Sequence, residues 1–262
     1  MKIFAKIAAA TLISLIALAA AGAVFYITVT ADARLQAEKL TPAAEGYAVY
    51  DAADTFIAEL SPRGGHKSVK GADLPAHVRD AFICAEDKNF YSHGGLDYKG
   101  IARAMLANLR ARSFRQGGST ISQQLVKNTQ LTSEKTLIRK LREIKLTRQL
   151  EKRYSKDQIL EMYLNTIYFG HACYGIAGAS EFYFGKDAKD LTAAEGATLA
   201  AVIRSPNNYS PFVNPEVCLR ARNSVLRRMR DLGKLSAPEY DRAVSADLPQ
   251  RREEVISAQS YL

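Results

Sequence analysis

Residues 86–97 of this 262-residue chain, Glu86-Asp87-Lys-Asn-Phe-Tyr-Ser-His93-Gly-Gly-Leu-Asp97, bring three carboxylates and an imidazole into twelve positions. They follow an apolar run that ends Ala81-Phe82-Ile83. A carboxylate at the mouth of an apolar element is a candidate general base, because partial desolvation favours its protonated form. The same residues also read as a solvated helix end followed by a glycine turn. A second stretch, Gly117-Gly118-Ser119-Thr120-Ile-Ser-Gln123-Gln124-Leu-Val-Lys127-Asn128, opens a helix with two glycines and two hydroxyls. Free N–H groups at such a start favour anions, although no G-x-x-x-x-G-K-[ST] phosphate loop occurs. A third stretch, Arg139-Lys140-Leu-Arg142-Glu143, lies in a segment (134–153) with eight Lys/Arg against three Glu. Glu143 is one helical turn from Arg139 and Lys140. It is either a surface ion pair or a carboxylate held ionised beside a phosphate-gripping cluster.

These residues need helices to position them. Residues 75–84 carry Val78, Phe82 and Ile83 on one face, and 98–112 carry Ile101, Met105, Leu106 and Leu109 at helical spacing. A Gln-rich helix begins at Ser119. Residues 134–153 form a long basic helix, with Leu137, Leu141 and Ile144 as its expected buried stripe. Ser155-Lys-Asp-Gln158 and Thr192-Ala-Ala-Glu195 have capping-box form ahead of 159–164 and 199–203. An Arg-rich helix runs over 217–232 and stops near Gly233. Ile159–Asn165 reads as packed core. Before these helices, two short β-prone runs in 47–60 predict a small hairpin, and 61–65 a turn. The fold class is mainly α, with a minor β element near the membrane.

The N-terminus supplies that membrane. Ile7–Ala31 is a run of 25 uncharged residues behind Lys2 and Lys6. A helix of about 20 apolar residues spans a bilayer core, and the flanking lysines place the N-terminus in the cytoplasm. The run exceeds a secretory h-region, so a retained anchor is favoured over a signal peptide cleaved near Ala19-Ala20-Ala21. The organisation expected is anchor 1–31, stalk and hairpin 32–70, catalytic domain 71–245 and tail 246–262. The net charge of +9 calls for an acidic partner. Export and the lack of a recognition motif remove nucleic acid. Three cysteines and four histidines offer no zinc spacing. Cys84 is expected to be buried, and a pairing of Cys173 with Cys218 stays open.

Five stretches in order, EDKNFYSHGGLD (86–97), GGSTISQQLVKN (117–128), RKLRE (139–143), KDQILEMYLN (156–165) and RSPNNYSP (204–211), resemble the motifs of the peptidoglycan glycosyltransferases. The resemblance covers roughly residues 45–245. It implies a lysozyme-like helical domain that polymerises lipid II with inversion and releases undecaprenyl pyrophosphate. By the same resemblance Glu86 is the general base, and Glu143 orients or stabilises the donor near its pyrophosphate. Arg103, Lys127, Lys135 and Arg142 match basic residues around the substrate phosphates, with Arg139 and Lys140 beside them. Ser119, Gln123, Gln124 and Asn128 match polar lining positions, and Asp87 and His93 have supporting roles. No cofactor is required by the sequence. A divalent cation, Mg or Mn, is used by some members and would bind through the pyrophosphate, since no ligand cage is visible. The implied partners are lipid II, the growing glycan strand, membrane lipid and a separate transpeptidase. The implied location is the inner membrane, single-pass, with the catalytic domain on the periplasmic face. Many members continue into a transpeptidase domain, but no S-x-x-K or K-T-G occurs here. Residues 98–115 are the segment expected to dip into the bilayer, or else to form a core helix with a basic face. Two rival readings are a lysozyme-like hydrolase, against which the basic cluster argues, and a catalytically silent membrane-tethered scaffold.

Overall fold

The computed structural model describes residues 2–41, 47–50, 56–60, 67–111, 118–132, 134 and 136–250. Gly117, Lys135, the expected turn at 61–65 and residues 112–116 lie outside them. The architecture is helical. Helix α1 (Lys2–Val29) is followed by the antiparallel hairpin β1 (Tyr47–Tyr50) and β2 (Phe56–Leu60), which pairs Tyr47 with Leu60 and Val49 with Ala58. Then come α2 (Ala76–Glu86), α3 (Tyr98–Ala111), α4 (Ile121–Gln130), α5 (Leu137–Arg153) and α6 (Lys156–Thr166). A two-stranded ribbon, β3 (Tyr168–Gly170) and β4 (Cys173–Tyr174), leads into α7 (Ile176–Phe184), α8 (Ala193–Val202), α9 (Pro215–Asp231) and α10 (Ala237–Ser245).

Helix α8 is the hub, packed on α2 and α9. Its small residues allow this: Ala197, Leu199, Ala200, Ala201 and Val202 are buried, and at Gly196 an added Cβ would sit 3.2 Å from the Val78 Cα. A second layer packs α4 on α5 and α6. Both expected capping boxes form. Ser155 N–H donates to Gln158 Oε1 at 2.9 Å and Thr192 N–H to Glu195 Oε2 at 2.7 Å, which satisfies donors the helix itself leaves open. The three cysteines are all buried.

One expectation changes and two are narrowed. The inward face of α5 is Glu143, Leu146, Thr147 and Leu150, while Leu137 is 69 % exposed and Leu141 and Ile144 are only half-buried. The inward stripe lies one step from the apolar spacing, because a buried carboxylate occupies it. On α3, Ala104 is buried but Ile101, Met105, Leu106 and Leu109 are exposed, so α3 is not a core helix. The residues after α1 are not a free stalk. Leu40 is buried, Leu35 N–H donates to Gln149 Oε1, and Gln36 and Gln130 exchange hydrogen bonds.

Helix α1 is long and apolar enough to cross a membrane, with an uncharged span at Ala9–Val29 that none of the other described residues covers. Its C-terminal end is held by α5: Arg142 Nε donates to Val29 O (3.1 Å), Gln149 Nε2 to Ala33 O (3.2 Å) and Lys145 to Thr30 O. Arg142 also pairs with Asp32 at 2.9 Å. The last carbonyls of a helix lack intrahelical partners and carry the negative end of its dipole, so cations belong there.

At the other end, the fully buried Arg222 of α9 fastens α10. Its Nη1 donates to Ala246 O (2.6 Å), Nη2 to Val244 O (2.8 Å) and Nε to Asn223 Oδ1 (3.0 Å). Burial pulls its pKa below the usual arginine range. Arg222→Met takes the guanidinium donors from the half-buried carbonyls of Val244 and Ala246 and is expected to lose about 2 kcal/mol, read as the midpoint of chemical denaturation. An unchanged midpoint would mean that α10 does not depend on this contact.

Candidate active site

A cleft of about 780 Å³ opens between the C-terminal end of α2, α3, the start of α4 and the residues after α8. Its carboxylates are Glu86, Asp87 and Asp97, its polar side chains include Ser119, Thr120 and Gln124, and its cations are Lys88, Arg103, Lys127, Arg204 and Arg228. Cys84 adds a buried thiol, which burial and then Asp80 push up to about 11, so it is a neutral wall.

Glu86 is the last residue of α2 and its side chain is 14 % exposed. Gln124 Nε2 donates to Oε2 at 2.7 Å. The other oxygen, Oε1, is buried with no hydrogen-bond partner among the described residues; Arg204 Nε stands 3.8 Å away. Arg228 holds the helix end that presents this carboxylate, donating to Ala85 O (3.0 Å) and Cys84 O (3.3 Å).

The other two carboxylates are committed. Asp87 is buried and takes His93 Nε2 at 3.0 Å and the Ile121 N–H at 3.1 Å. Gly95 N–H donates to His93 Nδ1 (3.1 Å), so the proton of a neutral ring sits on Nε2 and points at Asp87. Asp97 takes Asn89 Nδ2 and Gly100 N–H, each at 2.8 Å. Burial acts to raise its pKa, but these bonds outweigh that and hold the carboxyl below its usual range. The loop reaches this shape through Gly95, at φ +89°, where a Cβ would come within 2.8 Å of Thr147 and Glu151. Thr120 Oγ1 closes it on Gly95 O at 2.6 Å.

The sequence candidates therefore divide. Glu86, Asp87, Arg103, Ser119, Gln124 and Lys127 line the cleft. Gln123, Asn128, Arg139, Lys140, Arg142, Glu143 and His93 are not among its lining residues. Glu143 is 2 % exposed and accepts from Gln123 Nε2 (3.1 Å), Arg139 Nη1 (3.2 Å) and Lys140. Gln123 in turn shares the capping box at the start of α4 with Thr120. This group clasps α4 to α5. Arg142 serves the anchor. Arg204 and Arg228 were not singled out, although Arg204 opens the RSPNNYSP stretch. Nothing in the local pattern of the Arg-rich α9 distinguishes Arg228.

A family model described as Transglycosylase matches residues 53–230. Penicillin-binding protein 1F of Bacillus subtilis (strain 168) is 49% identical over 167 residues, 64% of this chain and 23% of that protein. Penicillin-binding protein 1A/1B of the same organism is 40% identical over 243 residues, 92% of this chain and 26% of its own. A crystal structure of penicillin-binding protein 1A from Haemophilus influenzae aligns with 81% of this chain and 22% of its own, at a TM-score of 0.45 and 23% identity. The chain spans about a quarter of the length of these relatives. On the match over 53–230 the chain belongs to the Transglycosylase family.

Proposed function

We propose that the chain is a peptidoglycan glycosyltransferase that polymerises lipid II by inverting transfer, with Glu86 as general base and undecaprenyl pyrophosphate as leaving group. The observation that carries the reading is a single carboxylate with a free oxygen, Glu86 Oε1, in a cleft ringed by five cations. A glycosidase needs a second carboxyl group to protonate a neutral leaving group, yet Asp87 and Asp97 have both oxygens engaged. A diphosphate leaves as an anion and needs cations instead. Glu86 takes the proton of the acceptor hydroxyl as that oxygen attacks the donor anomeric carbon. The sugar–phosphate bond breaks, and its electron pair leaves on the pyrophosphate beside the cations.

The surroundings suit a lipid-linked substrate. The exposed apolar face of α3 (Met105, Leu106, Leu109) and the anchor would both meet the bilayer that holds the lipid tail. Lys2 and Lys6, in the first turns of α1, favour the periplasmic face for the cleft. The 21-residue apolar span Ala9–Val29 exceeds a secretory h-region and supports a retained anchor over a cleaved signal, and the domain division given above is kept. A divalent cation, Mg or Mn, would ride on the substrate's pyrophosphate, since the carboxylates of the cleft form no cage for it. A separate transpeptidase is the proposed working partner.

The test is to supply lipid II to the detergent-solubilised full chain and resolve the products by gel. Long glycan strands are expected. Release of short glycans from preformed wall, with no polymer from lipid II, would overturn the reading.

A further inference from the structure

We infer that Tyr163 of α6 is a positioning residue for the base: its hydroxyl fixes the Gln124 amide, which in turn fixes which oxygen of Glu86 is free to take the proton. The inference rests on the glycosyltransferase reading of the cleft. Tyr163 is completely buried, and its Oη donates to Gln124 Oε1 at 3.3 Å. Gln124 Nε2 donates to Glu86 Oε2 at 2.7 Å. A side-chain amide has one donor end and one acceptor end, so its orientation is set by its neighbours. Reversing this one would turn its oxygen towards a carboxylate and its NH₂ towards a hydroxyl.

The phenol itself stays a donor. Burial, and after it the charges of Glu86 and Asp87, push its pKa well above the ordinary tyrosine value. A deprotonated Tyr163 could only accept, and would draw the NH₂ end of the amide towards itself and away from Glu86. The chain of bonds therefore runs one way, from Tyr163 through Gln124 to Oε2. Oε1 has no hydrogen-bond partner among the described residues and faces Arg204. As periodicity, Tyr163 is one more apolar position of α6, between Leu160 and Leu164. Its hydroxyl is the feature that packing alone does not use.

The experiment is a double-mutant cycle on polymerisation of lipid II by the full-length protein, with Tyr163→Phe, Gln124→Ala and both together. Tyr163→Phe removes one oxygen and keeps the ring, so the melting temperature is expected to change little. A lost hydrogen bond of ordinary strength lowers kcat about five- to tenfold, with KM for lipid II unchanged. If Tyr163 acts through Gln124, adding Tyr163→Phe to Gln124→Ala costs nothing more. Full additivity, or a rise in KM at unchanged kcat, would overturn the inference. Glu86→Gln in the same assay separates the two levels: if it polymerises like the parent, the glycosyltransferase mechanism fails and the role of Tyr163 falls with it. If Glu86→Gln is dead while the cycle is additive, the role of Tyr163 alone is wrong.

Discussion

Glu86→Gln is expected to abolish polymerisation of lipid II while leaving the protein folded. General-base catalysis contributes about a hundred- to ten-thousandfold, so kcat should fall by roughly a thousandfold or more. The substitution keeps the shape of the side chain. It also keeps an oxygen to accept the 2.7 Å bond from Gln124 Nε2. Oε1 has no hydrogen bond to lose among the described residues, and its one cationic neighbour, Arg204, stands back at 3.8 Å on an exposed side chain. Stability should therefore change by less than about 1 kcal/mol. The measurement pairs a single-turnover rate with a denaturation curve. An active, folded Gln variant would mean that another group takes the proton.

The second large effect is at Glu143, and there the sign pattern is reversed. Glu143→Ala should destabilise the protein strongly, and that loss comes before any effect on chemistry. The carboxylate is buried and neutralises Arg139, whose side chain is 19 % exposed, together with the more open Lys140; it also accepts from the buried Gln123. Removing it strands two cations and an amide at the seam of α4 and α5. Breaking a buried pair from one side costs about 3–5 kcal/mol. With Lys140 41 % exposed and able to turn to water, about 3 kcal/mol is the expected loss. Denaturation midpoints for Glu143→Ala and Glu143→Gln decide the matter, with Gln intermediate because it retains an acceptor for Gln123. If both variants keep the parental midpoint and lose activity, Glu143 acts on the substrate and not on the seam.

Much of the helical scaffold was visible in apolar periodicity and capping residues, because those signals are local. The α2 helix with Val78, Phe82 and Ile83 inward, the two capping boxes and the stop at Gly233 follow from residues within a turn or two of each other. What escaped was the set of contacts between residues far apart in the chain. Gln124 meets Glu86 across 38 positions, and Arg228 meets Ala85 across 143. No spacing rule carries such a pairing. The phase of α5 was misjudged because its inward stripe is half polar: Glu143 and Thr147 sit where a leucine would be expected. A charge-rich motif likewise does not say which of its charges face a ligand. Of Arg139, Lys140 and Arg142, two hold Glu143 and one holds the anchor.

The grip of α5 on the end of α1 leaves little slack between membrane and cleft. The apolar span Ala9–Val29 has 21 residues, about 31 Å of helix at 1.5 Å per residue, close to the thickness of a bilayer core. A tether with free joints would let the domain find its own height above the lipid headgroups. Here the helix meets the domain through Val29, Thr30, Asp32 and Ala33. A tilt of α1 that relieves hydrophobic mismatch is then passed on as a rotation of the whole domain. On the glycosyltransferase reading proposed above, bilayer thickness would thereby enter the geometry of the reaction, by setting how far a lipid-bound diphosphate must rise to reach Glu86.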